Sequence, residues 1–188
     1  MQDEYHDHVN DSIYTNVGAY YTLTYAVEAA KLLGEPASHY AGWLNASQRI
    51  VLLYNASVPG LEGGMHPEYA GYYNATIKQA DVILLGYPLN TPLANNTPQT
   101  RLNDLEWYSR VSDPNGPAMT WGMFAAGYAT LGELDMAAAF FNRSFANAQA
   151  PFDVWTETPT GGCANFLTYV SPLPPSACAR VHAYCASC

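Results

Sequence analysis

The sequence predicts an all-α fold, and three observations carry that expectation. Apolar residues recur at helical spacing through most of the chain, and glycine and proline interrupt them at short intervals. No segment of useful length alternates apolar and polar residues as a half-buried strand does. In residues 17–33, Tyr20, Leu23, Val27 and Ala30 repeat along one side, and Gly34 with Pro36 supplies a helix stop. Ser38 stands where it can cap a second helix, whose Tyr40, Trp43, Leu44, Val51 and Tyr54 fall near one face before the glycines at 60, 63 and 64. Residues 77–85 form an apolar run too short for periodicity to separate helix from strand; helix is the expectation. Thr97 and Pro98 read as a cap and a good first helical residue for the stretch with Leu102, Leu105 and Tyr108. Pro117 opens a helix carrying Trp121, Phe124, Ala125 and Tyr128, which Gly132 ends. A last helix holds Leu134, Ala138, Phe141 and Phe145 and runs toward Pro151. Paired helices at an irregular period of about 40 residues fit a helical toroid or solenoid.

The 188 residues are 49% hydrophobic and 13% aromatic, enough apolar surface for a core. Only 12% are charged, against an average of about 25%, so the surface must hydrogen-bond largely through neutral groups, as carbohydrate-binding surfaces do. A net charge of −9 repels phosphate backbones and anionic lipid, which argues against a nucleic-acid partner. No apolar run approaches the roughly 18 residues of a membrane span, and Met1 precedes polar and acidic residues rather than a basic, then apolar, leader. Asn-x-Ser/Thr occurs at Asn10, Asn45, Asn55, Asn74, Asn95 and Asn142, more often than composition predicts, and points weakly toward a secreted or luminal protein. Cys185 and Cys188 form C-x-x-C, but neither Cys163 nor Cys178 completes a zinc spacing.

Three segments hold more polar and aromatic groups than a connector needs. They are residues 3–10 (DEYHDHVN), residues 66–69 (HPEY) followed by 78–81 (KQAD), and residues 154–157 (VWTE). Glu4 and Glu157 are carboxylates from distant parts of the chain, each beside an aromatic residue that can stack on a sugar. Glycoside hydrolysis requires such a pair, one protonated for the leaving oxygen and one ionised to activate water or attack carbon. Two solvated loop carboxylates are the plain alternative. His6, Asp7 and His8 lack a third ligand at a recognisable position, so no metal is expected. No phosphate-binding loop, dinucleotide fingerprint or G-x-S-x-G is present, and no cofactor is expected.

At these same segments the chain resembles glycoside hydrolase family 65. The resemblance is carried by DEYHDHVNDSIYTN at 3–16, HPEYAGY at 66–72, KQADVILLGYP at 78–88, GPAMTW at 116–121, RSFAN at 143–147 and VWTE at 154–157, and it reaches nearly to Thr168. It implies an (α/α)6 barrel and inverting cleavage of an α-glucosidic bond. It assigns the general acid to Glu4, activation of water to Glu157, with orientation of the water without uptake of its proton as the open alternative, and the hydroxyls of the glucosyl unit to Lys78 and Gln79. Tyr5 and Trp155 are sugar platforms or core residues; both readings stand open. The implied partner is a small carbohydrate or a glycosylated collagen peptide. An anionic Glu157 would repel phosphate and so favours hydrolysis over phosphorolysis.

The departures matter too. The family's N-terminal β-sandwich, helical linker and first half of the barrel have no counterpart here. Residues 1–168 correspond to the C-terminal part of the catalytic barrel, whereas 169–188 leave the pattern with Pro172, Pro174, Pro175 and the cysteine cluster, a tail expected to be poorly ordered. Part of a barrel exposes an apolar wall, so the isolated chain is expected to be unstable or self-associated, with little activity. A trehalase, and a helical sugar-binding or interaction module without chemistry, are the rival readings.

Overall fold

The third helix begins where local chemistry demands it. In the computed structural model, which describes residues 5–79, 81–93 and 95–161, Thr97 accepts the backbone N–H of Thr100 at 3.1 Å. Pro98, with no N–H to lose, opens the helix. Five α-helices follow in order: α1 Ile13–Leu32, α2 Ala37–Ser47, α3 Pro98–Val111, α4 Met119–Leu131 and α5 Leu134–Arg143. Among the described residues the only sheet is a hairpin of two-residue strands, β1 Ala148–Gln149 and β2 Val154–Trp155, with Ala148 opposite Trp155. The all-α expectation holds. Glu4, the tail 169–188 and the four cysteines lie outside the described residues.

The core forms where α4 meets α3, α5 and the 3₁₀ turn Val82–Leu85. Phe124 is fully buried, its ring 5.9 Å from Trp121 and 5.1 Å from Phe140, and Tyr128 stacks on Phe140 at 5.6 Å. Burying each such side chain is worth about 1.5–3 kcal/mol. The α4 sequence is apolar nearly all round because α4 is buried nearly all round. Gly132 ends it at φ 85°, a left-handed position that a Cβ would strain, and Glu133 N–H returns to the Tyr128 carbonyl.

Four expectations about the elements need correction. The first helix starts at Ile13, not Val17, because Ile13 and Val17 are both buried and the Ile13 N–H donates to the Glu68 carbonyl at 3.1 Å. The second stops at Ser47 and is not capped by Ser38. Val51 and Tyr54 belong to a loop that returns along the core and pairs Asn55 with Met65. Residues 77–85 are not a helix, since Ile77 pairs in parallel with Ser112 and only Val82–Leu85 winds into a 3₁₀ turn. The last helix ends at Arg143, where the hairpin takes over.

Successive helices pair as α1 with α2 and α4 with α5. Among the elements α2 touches α1 alone, and of its own residues only Ser47 is buried. Around this pair Leu32 is 89% and Leu33 80% exposed, and Tyr25 and Trp43 are exposed as well. No helix of the described residues is long and apolar enough to cross a membrane.

Candidate active site

A loop at 112–118, between α3 and α4, gathers groups from distant parts of the chain. The Ile77 N–H donates to the Val111 carbonyl at 3.0 Å and the Asp113 N–H to the Ile77 carbonyl at 2.8 Å, which lays Lys78 beside the loop. A Cβ at Gly116 would stand 2.6 Å from the Lys78 carbonyl oxygen, so only glycine permits that approach. Lys78 and Gln79 are half-buried there.

Asp113 is the hub of the loop. Its carboxylate accepts the Asn115 N–H at 2.8 Å and the Tyr5 hydroxyl at 2.6 Å, an exposed contact that ties residue 5 to residue 113. The Tyr5 hydrogen bond first, and the Asn115 N–H second, hold this carboxyl below its ordinary value, since both favour the ionised form. Tyr5→Phe is therefore expected to raise the Asp113 pKa toward the usual carboxylate range, read by NMR titration of the carboxyl carbon. An unchanged titration would mean that the Asn115 N–H alone suffices.

Glu157 reaches the same loop from the other side. Its carbonyl accepts the Ala118 N–H at 2.8 Å and the Asn147 side-chain amide at 3.2 Å, while Thr158 closes a tight turn with Gly161. Its main chain is thus fixed at the entry to α4 and braced by the hairpin, a rigid mount for a functional side chain. Trp155, two residues earlier, is half-buried against the core, and its indole N–H donates to the Ser144 carbonyl at 2.9 Å. The structure therefore brings Tyr5, Lys78 and Glu157 to one loop. Gln79 follows Lys78, and Trp155 is held by the core.

The HPEY segment sits deeper. His66 is fully buried; its backbone N–H donates to one Asp104 carboxylate oxygen at 2.9 Å and its Nδ1–H to the other at 2.8 Å. One turn along α3, the Tyr108 hydroxyl donates to the His66 carbonyl at 2.9 Å. Burial above all, with Glu68 and Asp104 nearby, pushes the Tyr108 phenol well above its ordinary value, so it remains a donor. Asp104, Tyr108 and Asp113 escaped the sequence reading as site residues, Tyr108 being read there only as part of its helix. The first two had a signal: Thr100, Asp104 and Tyr108 form a stripe of hydrogen-bonding side chains at i, i+4 and i+8 of one helix, with Asn103 beside it, and all four are buried. Asp113 had none, because only the fold brings Tyr5 to it. No three of the described His, Cys, Asp and Glu residues stand together as metal ligands could.

No protein-family model matches the chain. Over 168 residues, 88% of this chain, it is 45% identical to protein-glucosylgalactosylhydroxylysine glucosidase of Danio rerio and 46% identical to that of Mus musculus, covering 24% and 23% of those proteins. Over the same length it is 36% identical to a kojibiose hydrolase of Mucilaginibacter mallensis, of which it covers 23%. These proteins are homologues of the chain, and the resemblance seen in the sequence blocks is real. The chain spans about a quarter of the length of these three relatives.

Proposed function

We propose that this chain is part of the (α/α)6 catalytic barrel of an inverting α-glucoside hydrolase, one that releases glucose from glucosyl-galactosyl-hydroxylysine of collagen. The observation that carries the reading is the meeting of Tyr5, Lys78 and Glu157 at the 112–118 loop, in a chain whose homologues are named as glycosidases acting on such units. The tandem helix pairs α1–α2 and α4–α5 agree with a barrel built of helical hairpins.

Each residue has a role. Glu4 donates the proton to the leaving oxygen, and Glu157 takes a proton from water on the opposite face of the sugar. Inversion sets their carboxyl groups roughly 6.5–9.5 Å apart, leaving room for the water. Lys78 and Gln79 bond the glucosyl hydroxyls, and Tyr5 flanks the acid as a platform. Trp155, with its N–H already committed to Ser144, offers only a ring face. The exposed apolar surface around α1 and α2 is covered by the rest of such a barrel, so the isolated chain self-associates and turns over poorly.

Glucose release is measured with a polypeptide of the relatives' full length that carries this segment, offering glucosyl-galactosyl-hydroxylysine and trehalose separately, beside Glu4→Gln. Cleavage of the first substrate and a dead variant are the expected results. Failure on both substrates would leave a sugar-binding module without chemistry.

A further inference from the structure

Asp113 has no role in the chemistry above, yet it joins two of the groups assigned to the sugar. Its main chain makes a tight turn against the Lys78 segment: the Asp113 N–H donates to the Ile77 carbonyl at 2.8 Å, and its own carbonyl accepts the Gly116 N–H at 3.0 Å. One carboxylate oxygen accepts the Asn115 N–H at 2.8 Å, which closes an Asx turn inside the first and stiffens it. Gly116 is thereby seated on Lys78, where a Cβ would stand 2.6 Å from the Lys78 carbonyl oxygen. Ile77, the residue before Lys78, is fully buried and anchors the start of the segment. The second carboxylate oxygen accepts the Tyr5 hydroxyl at 2.6 Å, from a residue 108 positions away in the chain.

We propose that Asp113 is a positioning residue for the glucosyl subsite: through the 113–116 turn it fixes the backbone of Lys78, and through its carboxylate it holds Tyr5, so that the two flanks of the subsite keep one spacing. The inference rests on the glycosidase reading and deepens it, adding a residue that acts through Lys78 and Tyr5 rather than on the sugar. A carboxylate suits the task because both of its oxygens accept, so one side chain serves an amide N–H and a phenol at once. The Tyr5 bond has the short length of a charge-assisted O–H···O⁻ contact. That contact is exposed, and a hydrogen bond exchanged for water adds little net stability, so its consequence is geometric.

The test separates positioning of the subsite from loss of fold. Glucose, the released product, occupies the glucosyl subsite alone, so its inhibition constant reads that subsite without the leaving group. In the full-length polypeptide Asp113→Ala is expected to raise KM for the disaccharide and the inhibition constant of glucose together by about 10-fold, with kcat changed less than about 3-fold and the thermal midpoint little moved. Asp113→Asn, which keeps an acceptor for the Asn115 N–H and a polar group for the Tyr5 hydroxyl, is expected to recover most of that loss. Tyr5→Phe leaves the turn intact; it is expected to raise both constants about 3-fold in wild type and no further in Asp113→Ala, because the two side chains act as one unit. If Asp113→Ala does not fold, Tyr5→Phe decides alone, and no rise in either constant overturns the proposal. Unchanged constants in Asp113→Ala, a fall in kcat without a rise in the glucose constant, or effects of the two substitutions that simply add also overturn it, and leave the glycosidase reading in place. A wild-type protein inactive on the disaccharide overturns that reading, and this inference with it.

Discussion

In the full-length polypeptide Asp104→Ala is expected to destabilise the fold by about 3–5 kcal/mol, read as a lowered urea midpoint with an unchanged slope. The carboxylate is buried and accepts two donors from a fully buried residue. Truncation removes the acceptor and strands a backbone N–H and a ring N–H of a fully buried residue, the costly direction of such a change. Asp104→Asn keeps one acceptor and is expected to cost less. The two variants also differ from wild type in their pH response. Burial holds the Asp104 carboxyl above its ordinary value, and the bonds from His66 pull it only part of the way back. A folded-state pKa above the unfolded one means that the folded chain keeps this proton longer. Its contribution is therefore complete below the ordinary carboxylate range and is lost as pH rises through the raised value. Urea midpoints of wild type should fall across that acidic window relative to those of Asp104→Asn, which has nothing to titrate there. A loss below about 1 kcal/mol for Asp104→Ala would mean that His66 has another acceptor.

The sequence made some of this legible and left the rest invisible for physical reasons. Thr97–Pro98 and Gly132 are local devices: a hydroxyl three residues from an orphan N–H, and a residue that tolerates φ 85°. They fix an α-helical start and stop without help from the remainder of the chain, and both were readable. Residues 77–85 carried no such device. Their apolar run could be satisfied by any buried conformation, and the pairing of Ile77 with Ser112 decided it from outside. The second helix misled in another way. Tyr40, Trp43 and Leu44 look like a core face, but among the described elements α2 packs on α1 alone and Trp43 is exposed. Hydrophobic spacing reports a face that seeks a partner, not one that has found it among the described residues. At the site, the residues near the 112–118 loop were named from blocks of sequence, whereas the hub that joins them, Asp113, depends on contacts between residues far apart in the chain.

Glu157→Gln in the full-length polypeptide is expected to lower kcat by roughly 100- to 10,000-fold, the range a positioned general base supplies. KM for the disaccharide should change little, because a base that acts on water gains its advantage in the transition state rather than in the ground state. The substitution is nearly isosteric and should not disturb the mount: the Ala118 N–H and the Asn147 amide bond the backbone carbonyl of residue 157, not its side chain. That separation of backbone from side chain makes the experiment informative. An unchanged thermal midpoint with a collapsed kcat assigns the loss to chemistry. An unchanged kcat would remove Glu157 from the reaction and, with it, the argument that an anion at this position excludes phosphate as the nucleophile. Addition of inorganic phosphate distinguishes the remaining case: if Glu157→Gln gains phosphate-dependent release of glucose 1-phosphate while losing hydrolysis, the carboxylate is the group that decides between water and phosphate.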